Sequence, residues 1–147
     1  PIFADHYGER DELVEYMDQG IQEFKYVLMP HLGDWRSSGV VKRAYELNVP
    51  TVNIAETYHK GNMPLKFEDI CVSAENIIVS VFKRSEGGNG YIVRCYETIG
   101  KHTDAEIEVP FLNRRWEASF GGCEIKTFYI PKNKNDKVTE VNLIEMQ

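Results

Sequence analysis

No run of apolar residues in this chain approaches the ~20 positions that a membrane-spanning helix requires, which argues against a bilayer segment. Cysteine is scarce. Cys71, Cys95 and Cys123 are odd in number and lack the close spacing of a redox or metal motif, so no disulfide framework is encoded. They read as small buried hydrophobes of a reducing compartment, which points to the cytoplasm. Histidine is equally thin: His6, His31, His59 and His102 never fall two or four positions apart, leaving no zinc-ligand spacing. Positive charge is in deficit, with 17 Lys and Arg against 23 Asp and Glu and a net charge of −6. Nucleic-acid surfaces normally show the reverse. Positive charge gathers at Arg114-Arg115 and over residues 132–137, and the second stretch, broken by Asn and Asp, reads as a solvated turn. No Gly-x-Ser-x-Gly elbow occurs, and Ser37-Ser38 sits where serine serves the backbone of a helix start.

What remains is an ordinary globular composition, 42% hydrophobic and 27% charged over 147 residues, enough for one domain or two small ones. Residues 1–18 mix aromatics with acids and keep no period. Phe24, Tyr26 and Leu28 then alternate with Glu23, Lys25 and Val27, a strand pattern stopped by Pro30. Asp34 stands where a helix N-cap belongs, and Val40, Val41, Ala44, Tyr45 and Leu47 share one face of a helix over 34–48, ended by Asn48 and Pro50. Gly39 weakens the middle of that helix by up to ~1 kcal/mol relative to Ala.

From residue 51 the pattern turns to β, with strands expected over 51–55, 70–73, 76–84, 91–98, 105–109, 117–120, 123–130 and 138–144. Gly87-Gly88-Asn89-Gly90 joins two of them and opens no helix, so it is a hairpin turn and not a phosphate loop. Close-set strands with no second helix indicate a small antiparallel sandwich. The polar stretch containing Gly61, Asn62 and Pro64 divides the chain into residues 1–61 and 62–147.

Three blocks carry a family resemblance. Pro30-His31-Leu32-Gly33-Asp34-Trp35-Arg36 leads into a helix closing in Ala44-Tyr45-Glu46-Leu47-Asn48. Ala74-Glu75-Asn76-Ile77-Ile78-Val79 runs through the glycine turn to Tyr91-Ile92-Val93-Arg94-Cys95-Tyr96-Glu97. Glu124-Ile125-Lys126-Thr127 follows. In this order the blocks resemble the C-terminal β region of the α-mannosidases of glycoside hydrolase family 38. The resemblance implies a mainly β fold: a terminal immunoglobulin-like antiparallel β-sandwich over 62–147, preceded over 1–61 by the last strands and one helix of a larger β-sandwich. It also implies a parent that is a zinc-dependent retaining exo-glycosidase, removing α-linked mannose through an Asp nucleophile and a glycosyl-enzyme intermediate. Its catalytic residues and zinc would lie in a larger N-terminal part, which is the expected partner of this segment within one polypeptide.

No position here matches a nucleophile, acid or metal motif, so no catalytic residue and no metal ligand is assigned, and no cofactor is expected in this segment. Asp5 with Asp18 is the carboxylate pair that a folded-back N-terminal loop would allow. His31, Asp34, Trp35 and Arg36, with Tyr26 nearby in sequence, form a candidate rim of a sugar site. An aromatic face and a few placed polar groups are what a sugar ring needs. The competing reading is that Trp35 staples the helix start and His31 caps a strand end. Three roles are open: non-catalytic scaffold of the parent, stand-alone carbohydrate-binding module for mannose-containing ligands, or homo-oligomerisation domain.

Overall fold

The structure is a computed structural model that describes residues 20–146. The chain forms two compact units, residues 1–30 and residues 31–147. Within the described part of the first unit, residues 20–30 adopt no regular element. Phe24 and Tyr26 stack at 6.4 Å between ring centroids and are 83% and 79% exposed. The strand expected over 23–28 is therefore not formed. Alternation supplies one face of a strand, but a ladder also needs a neighbour to pair its N–H and C=O groups. The Asp5–Asp18 pair falls outside the described residues.

The second unit begins with an irregular turn and a 3₁₀ turn at Trp35–Ser37, followed by α1, Val40–Asn48. The expected helix over 34–48 is thus two pieces. Gly39 lies between them at φ +68°, a left-handed conformation that glycine adopts without steric penalty. It is a break, not a weak interior position. At nine residues, α1 is shorter than the ~12–15 that hold alone in water, so packing must support it. Residues 51–55 are not a strand, and Val52 and Ile54 are exposed. The compact units divide after Pro30, and α1 falls in the same unit as the sandwich.

Seven strands follow: β1 (Cys71–Val72), β2 (Ile77–Arg84), β3 (Gly90–Glu97), β4 (Thr103–Val109), β5 (Arg114–Phe120), β6 (Ile125–Pro131) and β7 (Thr139–Val141). They build two antiparallel sheets, ordered β1-β4-β5 and β2-β3-β6-β7. The β2–β3 hairpin turns where the glycines indicate, with the Ser85 N–H donating to the Gly90 carbonyl and the Ser85 hydroxyl accepting from the Gly90 N–H. Strand alternation sends Val93 and Cys95 of β3, Ile107 and Val109 of β4, Phe120 of β5 and Phe128 of β6 into one shared core, the arrangement that lets two sheets bury each other. Cys95 is enclosed there, and burial pushes its thiol up to about 12. Cys71 is only half-buried and Cys123 is exposed, so the reading of all three as core residues holds for Cys95 alone.

Among the described residues, no helix is long and apolar enough to cross a membrane.

Candidate functional site

The sequence places four candidate rim residues together, and the structure assembles three of them. Asp34, in extended conformation, accepts the backbone N–H of Arg36 at 3.2 Å. The Arg36 guanidinium folds back, donating from Nη1 to Asp34 Oδ2 at 2.7 Å and lying 4.9 Å from the centroid of the Trp35 ring. The hydrogen bond from the Arg36 side chain is the main reason the Asp34 carboxyl sits below its ordinary value. Ser37 and Ser38 hydroxyls donate to the carbonyls of Asp34 and Trp35, the local backbone role expected of them. Trp35 is 42% exposed. His31 is exposed and takes no part in this turn. Tyr26 belongs to the other compact unit.

The turn is tied to the sandwich by Arg36, whose Nε donates to the Ile99 carbonyl at 3.0 Å. Beside this link lies a cleft of about 250 Å³, lined by Trp35, Arg36, Val41, Asn76, Ile78 and Thr98 among others. The arrangement offers part of the indole, a carboxylate and a guanidinium to solvent. Those are the chemical types that stack on a sugar face and bridge its hydroxyls.

Glu97, at the end of β3, is the most unusual polar group nearby. It is 2% exposed. Its Oε2 accepts from the backbone N–H of Gly100, Lys101 and Cys123, and its Oε1 from Ile99 N–H and the Asn76 side-chain amide, all within 2.7–3.2 Å. Burial alone would push this carboxyl up, but the donors of Cys123, Ile99, Asn76 and Gly100 outweigh it and bring it to about 2. The two loops it joins touch at Gly122, where a Cβ would come within 2.8 Å of the Gly100 backbone.

Arg114 does similar work at the other side of the core. It donates to the carbonyls of Pro131, Asn133, Lys134 and Asp136 at 2.6–3.0 Å, holding the turn between β6 and β7. That turn carries the lysines of 132–137, and Lys132 ties it further to the β2–β3 turn through the Gly88 and Asn89 carbonyls. Sequence reasoning missed both groups. The available cue is phase: Glu97 alternates in step with buried Val93 and Cys95, and Arg114 with Trp116, Ala118 and Phe120. A charge in a core phase must find partners.

Glycosidases need one carboxyl raised in pKa to act as an acid. The displaced carboxyls among the described residues, Asp34, Glu68, Glu97 and Glu145, move downward. Among the described residues, no three His, Cys, Asp or Glu side chains converge as a metal site. The residues described therefore do not fit zinc.

Residues 76–147 match the model of the glycosyl hydrolases family 38 C-terminal beta sandwich domain. The chain is similar to alpha-mannosidase G of Dictyostelium discoideum, 32% identical over 101 residues, covering 64% of this chain and 9% of that protein. It is also similar to alpha-mannosidase 2C1 of Homo sapiens, 30% identical over 95 residues, 63% of this chain and 9% of that protein. With the Mus musculus protein of the same name it shares 32% over 91 residues, 59% of this chain and 8% of that one. The aligned part is thus less than a tenth of the length of these relatives. No solved structure matches significantly.

Proposed function

We propose, from the match of residues 76–147 to the glycosyl hydrolases family 38 C-terminal beta sandwich domain, that the chain is the non-catalytic scaffold segment of a larger zinc-dependent retaining α-mannosidase. The parent would hydrolyse terminal α-linked mannose from oligosaccharides or small mannosides. Its nucleophile, acid and zinc ligands would lie in the catalytic part of the same polypeptide. The Asp34–Trp35–Arg36 turn would stand at the rim of the sugar site, with the mannose-containing ligand touching the outer face of the indole.

One observation carries the scaffold reading: next to a closed sandwich core, the apolar residues Leu32, Val52, Ile54, Met63 and Leu65 are left exposed. Such surface seeks a cover, and in this reading the catalytic part of the same polypeptide supplies it. The same surface favours a second reading, in which another copy of the chain covers it and the segment drives oligomerisation.

The test pairs the 147-residue chain with the polypeptide that contains it, each assayed on an aryl α-mannoside. Turnover by the larger protein and none by the chain is the expected outcome. Turnover by the chain alone, in a preparation free of other mannosidases, refutes the scaffold role. Trp35→Ala in the larger protein should raise KM with little change in kcat; an unchanged KM removes the rim. A concentration-dependent dimer in sedimentation of the chain would favour the second reading.

A further inference from the structure

Glu97 is 61 positions from Arg36, yet it holds the surface on which Arg36 rests. The N–H groups of Ile99, Gly100 and Lys101 converge on its carboxylate from one loop, and that of Cys123 from another. Rotation of residues 98–101 would strip donors from a buried charge, so this loop is held in one conformation. That same loop presents the Ile99 carbonyl to Arg36 Nε at 3.0 Å. The guanidinium so placed spends Nη1 on Asp34 and covers one face of Trp35. Hydrogen bonds therefore run from Glu97, through a backbone loop, to the Arg36 guanidinium, which meets the indole at the candidate rim by a cation–π contact.

We propose that Glu97 is the positioning residue of the Asp34–Trp35–Arg36 surface: its carboxylate fixes the Ile99 carbonyl where Arg36 docks, and thereby sets the orientation of the Trp35 indole. A carboxylate suits this task because both of its oxygens accept. Oε1 serves Asn76 and Ile99, and Oε2 serves Gly100, Lys101 and Cys123. An amide at the same place must turn its NH₂ group toward one of these donor sets and lose it. The consequence for sugar contact rests on the rim reading; the lock itself does not.

The experiment is nuclear magnetic resonance on the 147-residue chain, following the Arg36 Nε–H, the Trp35 indole N–H and the backbone amides. In Glu97→Gln, the Arg36 Nε–H should exchange more than tenfold faster and the Trp35 indole resonance should shift, while Val93, Ile107 and Phe128 amides stay in the slow class. In Arg36→Lys, the Trp35 resonance should shift in the same direction, while Gly100 and Cys123 amides keep their protection. This asymmetry is what a purely structural role for Glu97 would not produce. A slow Arg36 Nε–H in Glu97→Gln, or loosening of Gly100 and Cys123 by Arg36→Lys, overturns the proposal.

Should Glu97→Gln fail to fold, the unaltered chain answers the same question in low denaturant. Every opening that exposes the Gly100 and Cys123 amides must also expose the Arg36 Nε–H. An Arg36 Nε–H that stays protected after those amides have exchanged refutes the lock. The KM of Trp35→Ala in the larger protein reads the rim separately, so the two ideas fail on different measurements.

Discussion

Cys123 donates its backbone N–H to the carboxylate of Glu97 at 2.8 Å, joining residues 26 positions apart. The link lets one charge replace what would otherwise be a set of orphaned donors in two facing loops.

Acid sensitivity follows from this link. The Glu97 carboxyl titrates at about 2 in the folded chain against an ordinary 4.5. A depressed folded pKa means the stabilisation is fully present above about 4.5 and is lost as pH falls toward 2. Over that window it amounts to about 3 kcal/mol, taking 1.36 kcal/mol per unit. Thermal unfolding between pH 5 and pH 2 should show a falling midpoint in the unaltered chain. In Glu97→Gln the curve should start lower and be flatter. Parallel curves for the two proteins would mean that other carboxyls govern acid unfolding.

Arg114 makes a second prediction. Its guanidinium serves the carbonyls of Pro131, Asn133, Lys134 and Asp136, and an unsatisfied group of this kind costs roughly 1–3 kcal/mol. Arg114→Met keeps much of the stem and removes every donor. It should destabilise the chain by about 2–3 kcal/mol and speed exchange across residues 131–139 first. Arg115→Met next to it should cost under ~1 kcal/mol, since Arg115 pairs with exposed Glu108 and Glu106 at the surface, where ion pairs contribute little. Equal losses from the two variants would show that the turn does not depend on Arg114.

Zinc offers a third. Three or four ligands must meet in tetrahedral geometry to hold it tightly, and no described trio does so. Calorimetric titration of the chain should give weak uptake without fixed stoichiometry. One tight site per chain, removed by a His31 substitution, would place a metal site in this segment.

Much of the β-sandwich could be read in the amino-acid pattern, because its determinants are local. The Ser85–Gly90 turn carries its own glycines, and β3 beyond it alternates from Val93 through Cys95 to Glu97. Asp34 is a cap as its sequence position indicates, but of the 3₁₀ turn and not of α1, which starts after Gly39 without a side-chain cap. Phe24, Tyr26 and Leu28 misled for the opposite reason: alternation says which face would be buried, not whether a neighbouring strand exists. Gly39 misled because its composition fits a tolerated helix interior, while the backbone uses it as a left-handed break. Glu97 and Arg114 were invisible to motif spacing because their partners are backbone groups of distant loops. Of the candidate rim, Asp34, Trp35 and Arg36 came together and His31 did not, since nothing local binds His31 to the turn.

The last prediction concerns the independence of α1 from the sandwich core. Val40 and Val41 are the half-buried residues of that helix, and Val41 lines the cleft beside Ile78 and Thr98. With no buried residue of its own and a length at which isolated helices melt, α1 should depend on that contact. Val41→Asp puts a charge against an apolar wall, so α1 amides should lose protection. The core of Val93, Cys95, Ile107 and Phe120 makes no use of Val41. The β2–β3 hairpin should therefore keep its exchange rates, and the unfolding midpoint should move by less than a ~1 kcal/mol change would give. Two-probe measurement decides it, with helical ellipticity for α1 and near-ultraviolet signal for the core. Coincident loss of both signals in Val41→Asp would mean that helix and sandwich fold as one cooperative unit.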